Sequence, residues 1–150
     1  MVTENQIAID LKDAIKARDS QRVSCLRLLK TTMKNKQVEL GKHLNAVEIQ
    51  ALISSLIRKC REAAQEYRRS GREDLAKKEE GEINILYGYL PEQLSRAEIE
   101  SVLEIVISES SATGIRDLGK VMKVAMARMA GKAEGKEVSA IAQEILNRKQ

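Results

Sequence analysis

Leu90-Pro91-Glu92-Gln93-Leu94-Ser95-Arg96-Ala97-Glu98 holds the one proline of the chain, and its reading divides everything else. Pro91 disfavours helical backbone at Leu90 and has no N–H to donate, so a helix arriving from the N-terminal side ends there. Ser95 and Glu98 then stand three apart. At that spacing a serine hydroxyl accepts from the N3 amide while a glutamate reaches back to the N–H of the cap residue. One helix stops and another starts within this stretch, which predicts an N-terminal domain over residues 1–90 and a C-terminal domain over 91–150.

Working outward toward the N-terminus, Thr3 and Gln6 form a similar cap, and Ile7, Leu11 and Ile15 recur on one face. Asp19-Ser20 breaks this helix and caps the next, whose apolar stripe is Leu26, Leu29, Met33 and Leu40. Gly41 to Asn45 reads as a loop. Asn45 and Glu48 start a long third helix carrying Ile49, Leu52, Leu56, Cys60, Ala63 and Tyr67 at nearly heptad spacing. Gly71 suits its C-terminal end. A fourth helix runs from about Arg72 to about Tyr87 with Leu75, Ile83, Leu86 and Leu90 as its buried edge; Gly81 and Gly88 each weaken it by about 1 kcal/mol relative to alanine. Toward the C-terminus, Ile99, Val102, Leu103, Val106 and Ile107 mark a fifth helix. Gly114 precedes a sixth with Leu118, Val121, Met122, Ala125 and Met129, and Gly131 and Gly135 bracket a turn into a last helix with Val138, Ile141, Ala142, Ile145 and Leu146. The expected fold is all-α: a four-helix N-terminal domain followed by a small three-helix C-terminal bundle.

Composition agrees. Among 150 residues there is no Phe or Trp, and Tyr67, Tyr87 and Tyr89 are the only aromatics. Sandwiches and barrels want aromatic and β-branched runs, whereas Ala, Leu, Ile, Glu, Lys and Arg favour helix. Two cysteines, Cys25 and Cys60, cannot form a disulfide framework and imply a reducing compartment. The start Met1-Val2-Thr3-Glu4-Asn5 is polar and lacks a signal-peptide core, so a cytoplasmic location is expected. No apolar run approaches the roughly 18 residues of a membrane span, so no membrane partner is expected.

Charge is the most suggestive feature. The chain has 26 basic and 22 acidic side chains, a net +4. Residues 1–90 hold 17 basic and 13 acidic groups, and residues 91–150 hold 9 of each. Arg58, Arg61, Arg68 and Arg72 form a stripe on the third helix and its end, and Arg27, Lys30 and Lys34 a shorter one on the second. Arg116, Lys120 and Lys123 fall at i, i+4 and i+7, close to Arg128, Lys132 and Lys136. Solvated helix faces that confer solubility are one reading. The other is contact with phosphates, which attracts cations with little sequence choice. Without Phe or Trp to stack on bases, recognition of a folded RNA by shape fits better than reading of single strands. The RNA-binding candidates are Arg116, Lys120, Lys123, Lys132 and Lys136, with Arg58, Arg61 and Arg68 as the competing face.

Recognisable catalytic patterns fail. Gly131-Lys132-Ala133-Glu134-Gly135-Lys136 has three residues between its glycines where a Walker loop has four, Glu137 where that loop has Ser or Thr, and a helix where it has a strand. The turn could hold one phosphate at the start of the last helix, or be a plain helix–helix turn. His43 alone builds neither a histidine-based metal site nor a Ser-His-Asp triad. Cys25 and Cys60 fall on or beside apolar faces as core thiols, and Met122, Met126 and Met129 as core filling. Glu79, Glu80 and Glu82 lack the helical spacing with a histidine that di-iron bundles use. No catalytic residue, no metal site and no cofactor is expected.

Two stretches go further: Glu82-Ile83-Asn84-Ile85-Leu86-Tyr87-Gly88-Tyr89-Leu90-Pro91-Glu92-Gln93-Leu94, and Asp117-Leu118-Gly119-Lys120-Val121-Met122 followed by Gly131-Lys132-Ala133-Glu134-Gly135. With Arg27-Leu28-Leu29-Lys30 and Gly71-Arg72-Glu73-Asp74-Leu75, they resemble the YqeY-like family along nearly the whole chain. That family is similar to the C-terminal tail of the GatB subunit of aspartyl/glutamyl-tRNA amidotransferase. The resemblance implies a helical N-terminal domain, a three-helix C-terminal domain and a tail that helps grip tRNA. It also implies partners: tRNA, and an amidotransferase or aminoacyl-tRNA synthetase complex. A carbon–nitrogen ligase activity with glutamine as amido-N-donor belongs to that resemblance as well, although the chemistry of the amidotransferase lies outside the shared tail. Within the motifs, Gly119 and Leu118 serve helix packing, and Lys120 and Lys132 are the better ligand contacts. The alternatives to an RNA-binding module are a component of such a ligase and a helical protein–protein adaptor using the long third helix.

Overall fold

The computed structural model describes residues 2–149. Seven α-helices follow one another: α1 (Glu4–Lys16), α2 (Ser20–Leu40), α3 (Ala46–Arg69), α4 (Glu73–Tyr87), α5 (Arg96–Glu109), α6 (Leu118–Arg128) and α7 (Gly135–Lys149), with a 3-10 turn at Ile115–Asp117. No strand occurs among the described residues, and no helix there is long and apolar enough to cross a membrane. The protein is all-α. It divides into two compact units, one ending at Pro91 and the other beginning at Glu92.

In the first unit, local hydrogen bonds set the helix starts. Thr3 caps α1 by accepting from the Gln6 amide at 3.1 Å. The reciprocal half expected of Gln6 is not made; its amide donates to Asp10, one turn on, at 2.8 Å. Asp19 caps α2 through the Arg22 amide. Asn45 and Glu48 form a complete capping box at α3. Gly41 and Gly71, at φ 69° and 74°, take the left-handed backbone that ends α2 and follows α3. Arg18, just after α1, takes the same region at φ 56° with a side chain to accommodate.

The core of this unit joins Ile7 and Ala14 of α1, Cys25, Leu26, Leu29 and Met33 of α2, Ile49, Ile53, Leu56, Ile57 and Cys60 of α3, and Ile83 and Leu86 of α4. Three expected stripes hold in part. On α1 the buried partner of Ile7 is Ala14, while Ile15 is 48% exposed. On α2 the stripe ends at Met33, and Leu40 faces water. On α3 the expected Ile49, Leu56 and Cys60 are buried together with Ile53, Ile57 and Ala64, while Leu52, Ala63 and Tyr67 are half-buried. α3 carries apolar residues over a broad arc, and the position of α4 selects which part of it is sealed. Gly81 of α4 has a purpose there. A Cβ at this position would lie 2.0 Å from Nε2 of Gln21, whose amide donates to the Lys78 carbonyl. The glycine leaves room for the Gln21 side chain to reach the Lys78 carbonyl.

In the second unit, Ser95 and Glu98 form a complete capping box on α5. Ile99, Leu103, Val106 and Ile107 pack with Val121, Ala125 and Met129 and with Val138, Ile141, Ala142, Ile145 and Leu146. The sixth helix does not begin directly after Gly114. One 3-10 turn precedes it, pinned by Asp117, whose carboxylate accepts from the Thr113 amide at 2.9 Å. Ser111, after α5, has φ 54°. The stretch after Pro91 is fastened to the turn between α6 and α7: the Leu94 amide donates to the Lys132 carbonyl at 2.8 Å, and the Gln93 side chain to the Gly131 carbonyl at 2.8 Å.

Candidate nucleic-acid interface

The basic residues fall into two electrostatic classes. In the second unit Arg116, Lys120, Lys123, Lys132 and Lys136 are all exposed. Among the described residues none of the five has a carboxylate within ion-pair distance. Lys120 caps the end of α5 by donating to the Ser110 carbonyl at 3.1 Å. Arg128, beside them in sequence, is paired with Glu109. Arg116 sits on the 3-10 turn and not on α6. A 3-10 turn advances three residues per turn against 3.6 in an α-helix, so Arg116 is offset from the row that Lys120 and Lys123 make.

Lys132 follows Gly131, which takes φ 73°. Its backbone is tied twice, as donor to Met129 and as acceptor from Leu94. The turn is therefore a rigid base for an exposed cation. Lys136 lies in the first turn of α7, where Glu137 also sits. An acid there already meets the partial positive charge of the helix start. This disfavours a phosphate held by the helix end and leaves the lysines as the anion-attracting element.

The third-helix stripe is arranged otherwise. Arg58 is exposed, but Arg61 donates to the Tyr87 hydroxyl at 2.8 Å. Arg68 is bound by two carboxylates, Glu73 at 3.1 Å and Glu80. These bonds hold the Arg68 charge firmly in place and keep the Glu80 carboxyl below the usual carboxylate range. Arg72 pairs with Asp74 at 3.6 Å. Arg61, Arg68, Glu80 and Tyr87 line a groove of about 430 Å³ between α3 and α4. Arg27, Lys30 and Lys34 of α2 are exposed and have no carboxylate within ion-pair distance among the described residues.

A second cluster joins residues that the sequence reading took separately, Glu79 and Glu82 as acids without metal-binding helical spacing and Cys60 as a core thiol. Cys60 of α3 and Glu79 and Glu82 of α4 bring one thiol and two carboxylates to within 4.8 Å of one another. The Cys60 thiol donates to Glu82 Oε2 at 3.8 Å, and the Cys25 thiol of α2 to the Glu82 carbonyl at 3.8 Å. Burial pushes both thiols up to about 12, with Glu79 and Glu82 adding to it. Burial and the Glu79 charge push the Glu82 carboxyl up as well. As core thiols the cysteines are as expected; what was missed is the acid between them. Glu79, Glu82, Ile83 and Leu86 recur at intervals of three, one and three, so Glu82 shares the apolar edge of α4, and that is the signal the sequence held.

The family model described as Yqey-like protein matches residues 4–146. Curated relatives carry the name Altered inheritance of mitochondria protein 41, mitochondrial. The one from Lachancea thermotolerans is 34% identical over 103 residues, 67% of this chain and 55% of that protein. The one from Pyrenophora tritici-repentis is 26% identical over 147 residues, 96% of this chain and 81% of its own length. The one from Saccharomyces cerevisiae is 29% identical over 92 residues, and the match covers 61% of this chain and 50% of that protein. Against the first and third of these, then, the chain spans about half the relative's length. The names overturn the expectation of a cytoplasmic location, because these relatives are mitochondrial. Two unpaired buried thiols ask only for a compartment that keeps thiols reduced, and they do not distinguish the cytosol from the interior of an organelle.

Proposed function

Because the chain belongs to the Yqey-like protein family, we propose that it is a tRNA-binding module that acts by gripping RNA backbone through the exposed cations of its second unit. The observation that carries this reading is the contrast between the two stripes. Arg116, Lys120, Lys123, Lys132 and Lys136 face water without carboxylate partners among the described residues, whereas on the third helix only Arg58 of the three candidates does so, Arg68 being held by Glu73 and Glu80 and Arg61 bonded to Tyr87. A cation already satisfied by carboxylates has little to gain from a phosphate; an unpaired one releases counterions from the nucleic acid when it docks. The interface offers no Phe or Trp for base stacking, so the target is a structured RNA recognised by the course of its backbone.

The test is salt-dependent binding of a tRNA transcript by the full chain. Replacing Lys120, Lys123 and Lys132 with Ala is expected to weaken binding and to lower the log–log salt slope by about 0.9 per lost contact, the value for duplex DNA. Lys123 and Lys132 should shift thermal stability by only about 0.5 kcal/mol each, and Lys120 by about 1 kcal/mol through loss of its bond to the Ser110 carbonyl, so circular dichroism of the variant checks that the bundle stays folded. Loss of binding on changing Arg58, Arg61 and Arg68, with the lysine variants unaffected, would move the interface to α3. Absence of any salt-dependent binding at low ionic strength would remove the RNA reading.

A further inference from the structure

Glu82 is 8% exposed, the one charged residue buried among the described residues. A carboxylate taken out of water costs several kcal/mol unless a cation or a proton compensates it. No lysine or arginine comes within ion-pair distance of Glu82 or Glu79 among the described residues. The partners of the Glu82 carboxyl are the Cys60 thiol and a second acid, Glu79. Packing does not account for this: an apolar side chain on the same edge of α4 would seal against Cys25 and Cys60 at no electrostatic cost.

The donor set does account for it. A thiolate with two carboxylates suits a borderline-soft divalent cation, whereas Mg²⁺ and Ca²⁺ take oxygen alone. With Zn–S about 2.3 Å and Zn–O about 2.0–2.2 Å, tetrahedral coordination sets sulfur–oxygen separations near 3.5 Å. Cys60 Sγ and Glu82 Oε2 already stand 3.8 Å apart, and Glu79 is half-buried at the edge of the same cluster. Small rotamer shifts would bring the three onto one ion. We propose that Cys60, Glu79 and Glu82 form a metal site on the α3–α4 seam that takes a divalent cation of the Zn²⁺ class. Coordination replaces the Cys60 S–H bond with a sulfur–metal bond and releases that proton to solvent. The bound ion ties α3 to α4 in the centre of the first unit.

Co²⁺ and Zn²⁺ titrations of the chelator-treated full chain test this. Co²⁺ is expected to give a thiolate-to-cobalt charge-transfer band in the near ultraviolet, which Zn²⁺ abolishes by displacement, and Zn²⁺ should raise the melting temperature. Cys60→Ser should remove the band. Glu79→Gln, at a half-buried position, should lower metal affinity by about tenfold or more. Circular dichroism checks folding, and if Cys60→Ser loses its helical signal, Glu79→Gln decides alone. A chain that gives no thiolate band, a band that survives in folded Cys60→Ser, or an affinity unchanged in Glu79→Gln overturns the site. None of these variants touches the lysines of the second unit, so this outcome is independent of RNA binding.

Discussion

Tyr89 donates its hydroxyl proton to Asp10 at 2.6 Å, joining the end of the α4 segment to α1 across 79 residues of sequence. Burial, then the Asp10 carboxylate, raise this phenol above its ordinary value. The sign of the consequence is definite. The neutral phenol is favoured in the folded state, so its contribution is fully present below about pH 10. It is lost as pH rises above that, because the unfolded phenol ionises first. Tyr89→Phe should cost about 1–2 kcal/mol at neutral pH through loss of a hydrogen bond to a charged acceptor. Urea midpoints taken at about pH 8 and about pH 11 should show the gap between the two proteins narrowing at the alkaline end; a gap that widens would contradict the assignment. None of this was legible in the sequence, because Asp10 and Tyr89 meet only once two helices have packed. The same holds for Arg68, whose carboxylates sit on another helix, and for Glu82, whose thiol neighbours come from α2 and α3. The exposed lysines of the second unit were legible for the opposite reason: a residue facing water is described by its own helix alone.

At the scale of elements, helix starts were the most readable feature. Thr3, Asp19, Asn45 and Ser95 each cap through an amide three residues on, so the whole interaction is contained in a short stretch of sequence. Which apolar residue faces the core was less readable. Ile53 and Ala64 are buried where Leu52 and Ala63 were expected, a turn of the helix set by its neighbours. Gly81 shows the same limit, for it reads as a weak point in α4 and proves to be the clearance for Gln21. Two effects oppose each other at this position. Gly81→Ala gains about 1 kcal/mol of helix propensity but displaces the Gln21 amide from Lys78, a bond of about the same size. The single variant should be close to neutral, and Gly81→Ala made in a Gln21→Ala background should be more stable than Gln21→Ala by about 1 kcal/mol. Chemical denaturation of the four proteins in the cycle measures it. Equal effects in both backgrounds would show that Gln21 moves aside without loss.

For the molecule as a whole, the two units have separate cores. Each pairs arginines with acids, Arg68, Arg69 and Arg72 in the first and Arg96 and Arg128 in the second, and each leaves exposed lysines without a carboxylate among the described residues. If the chain grips RNA without transforming it, purified protein supplied with misacylated tRNA, glutamine and ATP is expected to show no transamidation above background. Turnover abolished by one point substitution in this chain would reverse that expectation. The fastening of Gln93 and Leu94 to the Gly131-Lys132 turn carries a different kind of consequence. Two stretches separated by 38 residues share one pair of hydrogen bonds, so a change in either removes bonds that hold the other. In evolutionary terms they behave as a single inherited character: a descendant that deletes the glycine turn relaxes selection on the segment after the proline, and the two should disappear from a lineage together.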